Sequence, residues 1–303
     1  MDTSPITPAR LASSVIAVPP LARASNLSLD FEQNRRIVEY IEAGGVSTFL
    51  YGGNAVLYHI RLSEYARLLE MLTQIAGERS LIIPSVGPAF GTMMDQAEVL
   101  KDFDFPTVMI LPQKDIADSQ GIASGIKRFV EAYGKPVVLY LKHDHWLPPE
   151  TVSRMFEAGY ISWIKYAVVR ENTIKDSYLS EVLASVPSNI VVSGIGEQPA
   201  IIHMRDFQVG SFTSGCVCVN PAKSMAMMQA IRHSDFTKAE TIREQFEPLE
   251  DLRNGINPIR VLHRALELAE IAETGPMFPM LGELEADEVT SVAQAASRLR
   301  DLT

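Results

Sequence analysis

Cysteine is almost absent from this chain, with only Cys216 and Cys218 in 303 residues. Two positions apart in what reads as one strand, they point the same way and cannot staple distant segments, which excludes a disulfide-built fold and makes a reducing cytoplasm the expected setting. Long apolar runs are also lacking. No stretch approaches the ~20 residues of a membrane span, and Met1 to Leu11 lack a basic start followed by an apolar core, so neither membrane anchoring nor export is expected. Positive charge is scarce: 27 basic against 37 acidic residues leave a formal charge of −10 with no local basic cluster. The electrostatic footprint of a nucleic-acid binder is therefore missing. No low-complexity segment suggests disorder beyond the ends. What remains is a chain 47% hydrophobic, enough for a sizeable core, and long enough for two ordinary domains or one large α/β barrel.

Short apolar strands alternate with amphipathic helices along most of the sequence. Ser14–Val18 reads as a strand and Asp30–Ala43 as a helix, with Phe31, Ile37, Val38 and Ile41 at helical spacing and Asp30 as N-cap. Val46–Tyr51, Leu81–Val86, Thr107–Leu111, Val137–Tyr140, Ile161–Lys165, Asn189–Ser193 and Ser211–Val217 continue the strands. The helices between them read as Glu64–Ile75, Met94–Lys101, Gly121–Ala132, Pro149–Ala158 and one near Lys175–Ala184. Eight such units in about 220 residues predict a (β/α)₈ TIM barrel over residues 1–234, with an open doubly wound sheet as the alternative. From Asp235 to Thr303 the pattern is helix only (Lys238–Leu252, Pro258–Ile271, Ala286–Leu302), with Asn254-Gly255-Ile256-Asn257-Pro258 breaking the first from the second. This is expected to be a C-terminal helical extension packed on the barrel.

Lys165 closes the apolar run Ile161-Ser162-Trp163-Ile164, where a strand would turn into a loop. An ammonium at the end of a buried strand loses hydration, its pKa falls, and the neutral amine that attacks a carbonyl becomes populated near pH 7. Lys165 is thus a Schiff-base candidate. The run Pro136–Tyr140 has the same form, and Tyr140 would serve as proton carrier if the two strands are neighbours. Because a barrel gathers its chemistry at the C-terminal ends of its strands, Gly52–Asn54, Gly87, Pro112–Lys114, Tyr140, Lys165, Gly194 and Gly215 are expected near one mouth.

Plainer readings stand beside these. A strand-end lysine can snorkel to solvent, and a strand-end tyrosine can be a core residue with its hydroxyl in water. His143, Asp144 and His145 are ligand types, but three adjacent residues do not easily face one ion, so no metal is expected and substrate contact or a solvated loop is preferred. Cys216 and Cys218 read as small barrel-lining residues in preference to thiol nucleophiles. His59, His203, His233 and His263 read as structural. Lys114 is either a solvated loop charge or, at the mouth, an attractor of anionic substrate.

The colinear pattern resembles the dihydrodipicolinate synthase and N-acetylneuraminate lyase family of Schiff-base aldolases over nearly the whole chain. The resemblance is carried by Asp30-Phe31-Glu32, Glu42-Ala43-Gly44-Gly45, Leu62-Ser63-Glu64-Tyr65-Ala66-Arg67-Leu68, the helical tail, Ser193-Gly194 and, loosely, Asn220-Pro221. It implies that Tyr140, ending strand five, and Lys165, ending strand six, are catalytic. The family's Gly-Thr-Thr-Gly-Glu loop, which holds the 2-oxo acid carboxylate and relays a proton, falls on Gly52-Gly53-Asn54-Ala55-Val56. Both hydroxyls are gone, although glycine N–H groups and the Asn54 amide could still meet an anion. A second relay tyrosine falls at Gln113 or Lys114, and the arginine for an aldehyde partner falls near His145.

The resemblance implies a lyase whose lysine forms an imine with a 2-oxo acid, needing no cofactor and acting by aldol cleavage, aldol condensation or dehydration of a 2-keto or 2-keto-3-deoxy acid. A true dihydrodipicolinate synthase is not expected. Gly52, Gly53, Asn54, Gly194, Gly215, Lys114 and His145 are the expected substrate contacts, and a homodimer or homotetramer the expected assembly. The lost threonines leave one alternative: a degenerate barrel that binds a 2-oxo or sugar acid without turnover.

Overall fold

The computed structural model describes residues 1–303. Nine parallel strands, β1 (Ile16–Ala17), β2 (Thr48–Leu50), β3 (Leu81–Ile83), β4 (Ser85–Val86), β5 (Met109–Ile110), β6 (Val137–Leu141), β7 (Ile161–Tyr166), β8 (Val191–Ser193) and β9 (Ser211–Ser214), pair in the order β3-β2-β1-β9-β8-β7-β6-β5-β4. The two ends of that order are consecutive in the chain, separated by Pro84 alone. Proline has no N–H for the ladder, so one barrel strand is split there: β3 pairs with β2 and β4 with β5. The result is a (β/α)₈ barrel, and the expected unbroken Leu81–Val86 strand is corrected to two.

Around the barrel run α1 (Pro8–Leu11), α2 (Phe31–Ala43), α3 (Leu62–Ile75), α4 (Phe90–Leu100), α5 (Ser119–Tyr133), α6 (Pro149–Glu157), α7 (Ser177–Ser185), α8 (Ala200–Arg205) and α9 (Pro221–Arg232). Side-chain oxygens of Asp30, Asp118, Asp176 and Asn220 accept N–H groups of the first turns of α2, α5, α7 and α9, which fixes where each helix starts. Burial repeats at helical spacing, as with Ile37, Val38 and Ile41 in α2. Nearly every strand residue is buried, including the serines and threonine of β9, as parallel strands covered by helices require.

Two further expectations are corrected. Helix α4 begins at Phe90, four residues before Met94, because Gly91 weakens a helix without ending one that packing supports. Cys216 and Cys218 lie in a 3₁₀ turn and not in a strand: β9 stops at Ser214, whose hydroxyl accepts the Val217 N–H at 3.0 Å and closes the turn. A buried turn has the same apolar composition as a buried strand, so the sequence pattern did not separate them.

The tail forms α10 (Phe236–Gly255), α11 (Pro258–Leu268) and α12 (Ala286–Arg300). The break between the first two is confined to Ile256-Asn257, where Asn257 caps α11 by accepting from the N–H groups of Ile259 and Arg260. Besides packing on α9, α10 reaches the loop after β8: Glu250 accepts the Glu197 and Gln198 N–H groups at 2.9 Å each. Leu262 of α11 lies against Gly215, after β9. The tail thus touches the face where the strands end.

Candidate active site

β6 and β7 run side by side in a register that sets Tyr140 opposite Lys165. Lys165 is 5% exposed, and its Nζ lies 4.4 Å from the centre of the half-buried Tyr140 ring. Burial, with smaller contributions from the charges of Lys142 and Arg253, lowers the Lys165 pKa to about 7. Desolvation penalises the ammonium, and two nearby cations penalise it further. Burial also holds the Tyr140 hydroxyl protonated, with a pKa of about 12 that the Arg253 charge moderates. The pair therefore offers a neutral amine beside a phenol that keeps its proton, one group for attack and one for proton delivery.

Gly194, at the end of β8, is required by close approach. A Cβ there would lie 2.6 Å from Ala167 Cβ, 2.7 Å from Tyr166 O and 3.0 Å from Lys165 Cγ. Its N–H donates to Tyr166 O at 2.6 Å, tying β8 to the strand that carries the lysine. Gly215 is similarly covered by Leu262 and the Asn54 amide.

The Gly52–Asn54 loop follows β2, across the barrel from β7. It turns back tightly, with Val56 N–H donating to Gly53 O and Leu57 N–H to Gly52 O, and with Val56 in the left-handed region at φ 54°. None of the backbone N–H groups of Gly52, Gly53 and Asn54 donates to another protein group. The Asn54 amide donates to Val18 O at 2.8 Å, so one of its hydrogens braces the loop to the end of β1.

Lys114 and His145 are exposed. His145 stacks on Tyr178, with ring centres 4.5 Å apart, while neighbouring Asp144 pairs with Arg170. No three histidine, cysteine, aspartate or glutamate side chains gather as a metal site. Both thiols are fully buried and held protonated by that burial, so they are not poised nucleophiles.

Sequence reading did not single out two parts of this region. Tyr58, in the turn after the glycine loop, is half-buried beside Tyr140, donates to Pro112 O at 3.3 Å, and lies under Lys142, whose Nζ is 5.9 Å from its ring centre. The second part is a buried cluster of Glu197, Glu250 and Arg253. The Glu197 carboxylate accepts the Ser214 and Ser224 hydroxyls at 2.7 and 2.6 Å. Arg253 donates to Ile195 O at 3.0 Å and lies 3.6 Å from Glu250. Burial raises both carboxyls, so the cluster retains protons at a pH where free carboxyls have lost them. One signal was available: Ala239, Ile242, Phe246 and Leu249 form the buried stripe of α10, and Glu250 and Arg253 continue it. Charges on an apolar stripe point to buried polar work.

Another cleft, of about 480 Å³, is lined by Phe90, Met93, Leu111, Ile116, Ile122 and Trp146 and includes neither Lys165 nor Tyr140. This cleft is therefore separate from the Lys165–Tyr140 pair.

Comparison with known proteins gives a consistent family. The sequence pattern of the dihydrodipicolinate synthetase family matches residues 13–299. A protein of Rhizobium meliloti described as a probable 5-dehydro-4-deoxyglucarate dehydratase is 23% identical over 292 residues, covering 92% of this chain and 93% of its own. Dihydrodipicolinate synthase from Bacillus clausii superposes with a TM-score of 0.82 at 22% identity, covering 95% of this chain and 98% of the other. The Agrobacterium tumefaciens protein of the same description gives 0.83 at 15% identity over 98% and 100%. At these identities the solved structures establish the shared fold.

Proposed function

The chain belongs to the dihydrodipicolinate synthetase family of aldolase- and dehydratase-type lyases, and on that footing we propose that Lys165 forms a Schiff base with a 2-oxo acid. The observation that carries this reading is the buried Lys165 amine, its pKa lowered to about 7, in register with Tyr140 at the C-terminal end of the barrel.

In the proposed cycle the Lys165 amine attacks the C2 carbonyl, a C–N bond forms, and the carbonyl oxygen takes a proton from Tyr140. The nitrogen gives one proton back to Tyr140, which passes it to the same oxygen, and the oxygen leaves as water to give an iminium. The iminium accepts the electron pair released when the C4 hydroxyl gives up its proton and the C3–C4 bond breaks, in aldol cleavage, C3 then taking a proton; in dehydration it accepts the pair left when a C3 proton is removed, and the C4 hydroxyl then takes a proton and leaves as water. Hydrolysis then frees the lysine. The unpaired N–H groups of Gly52, Gly53 and Asn54 form an anion cradle for the C1 carboxylate, Gly194 and Gly215 let Lys165 and Leu262 close in at the mouth where a side chain would displace them, and Tyr58 supplies a hydroxyl beside Tyr140. Lys114 and His145, being exposed, would meet substrate only at the rim.

The described relative favours dehydration of a keto-deoxy sugar acid as the net reaction. A homo-oligomer is part of the proposal, supported by the apolar cleft and by exposed Phe90 and Ile116 beside it. The absent threonines favour one other reading, a barrel that binds such acids without turning them over. Turnover of a panel of 2-keto-3-deoxy sugar acids, followed by pyruvate release and by mass loss of water, tests the choice. Cleavage or dehydration supports the enzyme, whereas saturable binding with neither product supports the binder.

A further inference from the structure

Arg253 is nine-tenths buried and its charge is felt at Lys165 and Tyr140, yet the protein satisfies little of its hydrogen-bonding capacity. A guanidinium has five N–H donors. Here one hydrogen bond is made, to Ile195 O, the Glu250 carboxylate stands at 3.6 Å, and Nε is buried without a partner. The neighbouring acceptors are already engaged. Glu197 takes two serine hydroxyls and Glu250 takes two backbone N–H groups, so neither is arranged as a forked partner for the arginine.

The position of Arg253 is tightly fixed. A Cβ at Gly196 would lie 2.9 Å from Arg253 Nη1 and 2.0 Å from Glu250 Oε1, so the Gly194–Gly196 segment is pressed between Lys165 on one side and this arginine on the other. Around the barrel, the N–H cradle after β2 stands opposite Lys165, while Arg253 enters beside β8, the strand next to the lysine's own. With C1 in the cradle and C2 on Lys165, a substrate that extends toward β8 would approach this arginine. Buried donors in fork geometry beside a reactive amine suit a carboxylate, which accepts two parallel N–H bonds.

We propose that Arg253 is a specificity-determining anchor for a second carboxylate, at the end of the substrate remote from its 2-oxo group, so that the site favours 2-oxo diacids over monoacids of equal length. The inference rests on the Schiff-base reading above. Borohydride trapping with 2-oxoglutarate, 2-oxopentanoate and pyruvate tests it, scoring the concentration of each that gives half-maximal adduct. The wild type is expected to take 2-oxoglutarate at about tenfold to a hundredfold lower concentration than 2-oxopentanoate, the effect of a charged hydrogen-bonded pair. Arg253→Met should bring the two to near parity, and Arg253→Lys should keep part of the preference. The double variant Glu250→Gln/Arg253→Met, which avoids leaving a buried carboxylate unpaired, should repeat the parity if the single variant misfolds. Labelling by all three acids with no diacid preference in the wild type overturns this inference alone. An equal loss for all three in the variants, with the diacid preference intact, does the same, since it would mean that Arg253 acts on the Lys165 amine and not on a second carboxylate. No adduct with any acid removes the Schiff-base reading and this inference with it.

Discussion

Replacing Lys165 by methionine should make the protein more stable, by an amount that depends on pH. A fall in the folded-state pKa from the ordinary lysine value of 10.5 to about 7 corresponds, at 1.36 kcal/mol per unit, to about 5 kcal/mol against the protonated folded protein. The direction follows from proton counting. Between about pH 7 and 10.5 the unfolded chain holds the lysine proton and the folded protein does not, so wild-type stability rises with pH across that window; below it the full penalty applies. Methionine fills similar space and has no charge. The advantage of Lys165→Met should therefore be greatest at pH 6 and shrink by up to about 1.4 kcal/mol per unit as pH rises, or about 2–3 kcal/mol between pH 7.5 and 9.5. Urea unfolding of both proteins at the two pH values, at fixed protomer concentration, reads this directly. A gap that does not change with pH would refute the reasoning, because it would mean that Lys165 titrates as an ordinary solvated lysine.

Three other outcomes are expected. Tyr140→Phe should still bind substrate but lose about 10²–10⁴-fold in kcat, the usual contribution of a positioned proton carrier, as measured by steady-state turnover. Gly194→Ala places a methyl 2.6 Å from Ala167 Cβ and 3.0 Å from Lys165 Cγ; thermal or urea unfolding should show a loss of about 1–3 kcal/mol, and labelling of the lysine should fall with it. Condensation of pyruvate with aspartate semialdehyde should be very slow, since Gly53 and Asn54 replace the threonine relay and His145 stands on the surface where an arginine would be needed. A kcat/KM in the ordinary enzyme range of about 10⁴–10⁸ M⁻¹s⁻¹ would contradict that while leaving the lysine chemistry untouched.

The pairing of Tyr140 with Lys165 was legible in the sequence because both residues lie near the ends of apolar runs, and a parallel sheet turns the ends of neighbouring runs into neighbours in space. The βα alternation similarly announced the barrel. Strand limits were less clear: β1 and β5 each pair over only two residues, while the apolar stretches around them are longer, because packing buries side chains beyond the last ladder bond. Proline at position 84 was visible, but the split it makes depends on two different partner strands. Arg253 stayed hidden for another reason. It lies 88 positions after Lys165 on a helix read as an appendage, and only the packing of α10 on the loop after β8 brings it to the mouth. Asn54 was read as a carboxylate donor, but folding gives one of its amide hydrogens to Val18 O, a contact with no local pattern.

The most direct measurement of the central claim is borohydride reduction in the presence of pyruvate or a longer 2-oxo acid, followed by peptide mapping. The account predicts one adduct per chain, on the peptide containing Lys165, with rate increasing through about pH 7 as the amine loses its proton, and no adduct in Lys165→Ala. An adduct on Lys114 or Lys142, or none across a broad panel of 2-oxo acids, would contradict it.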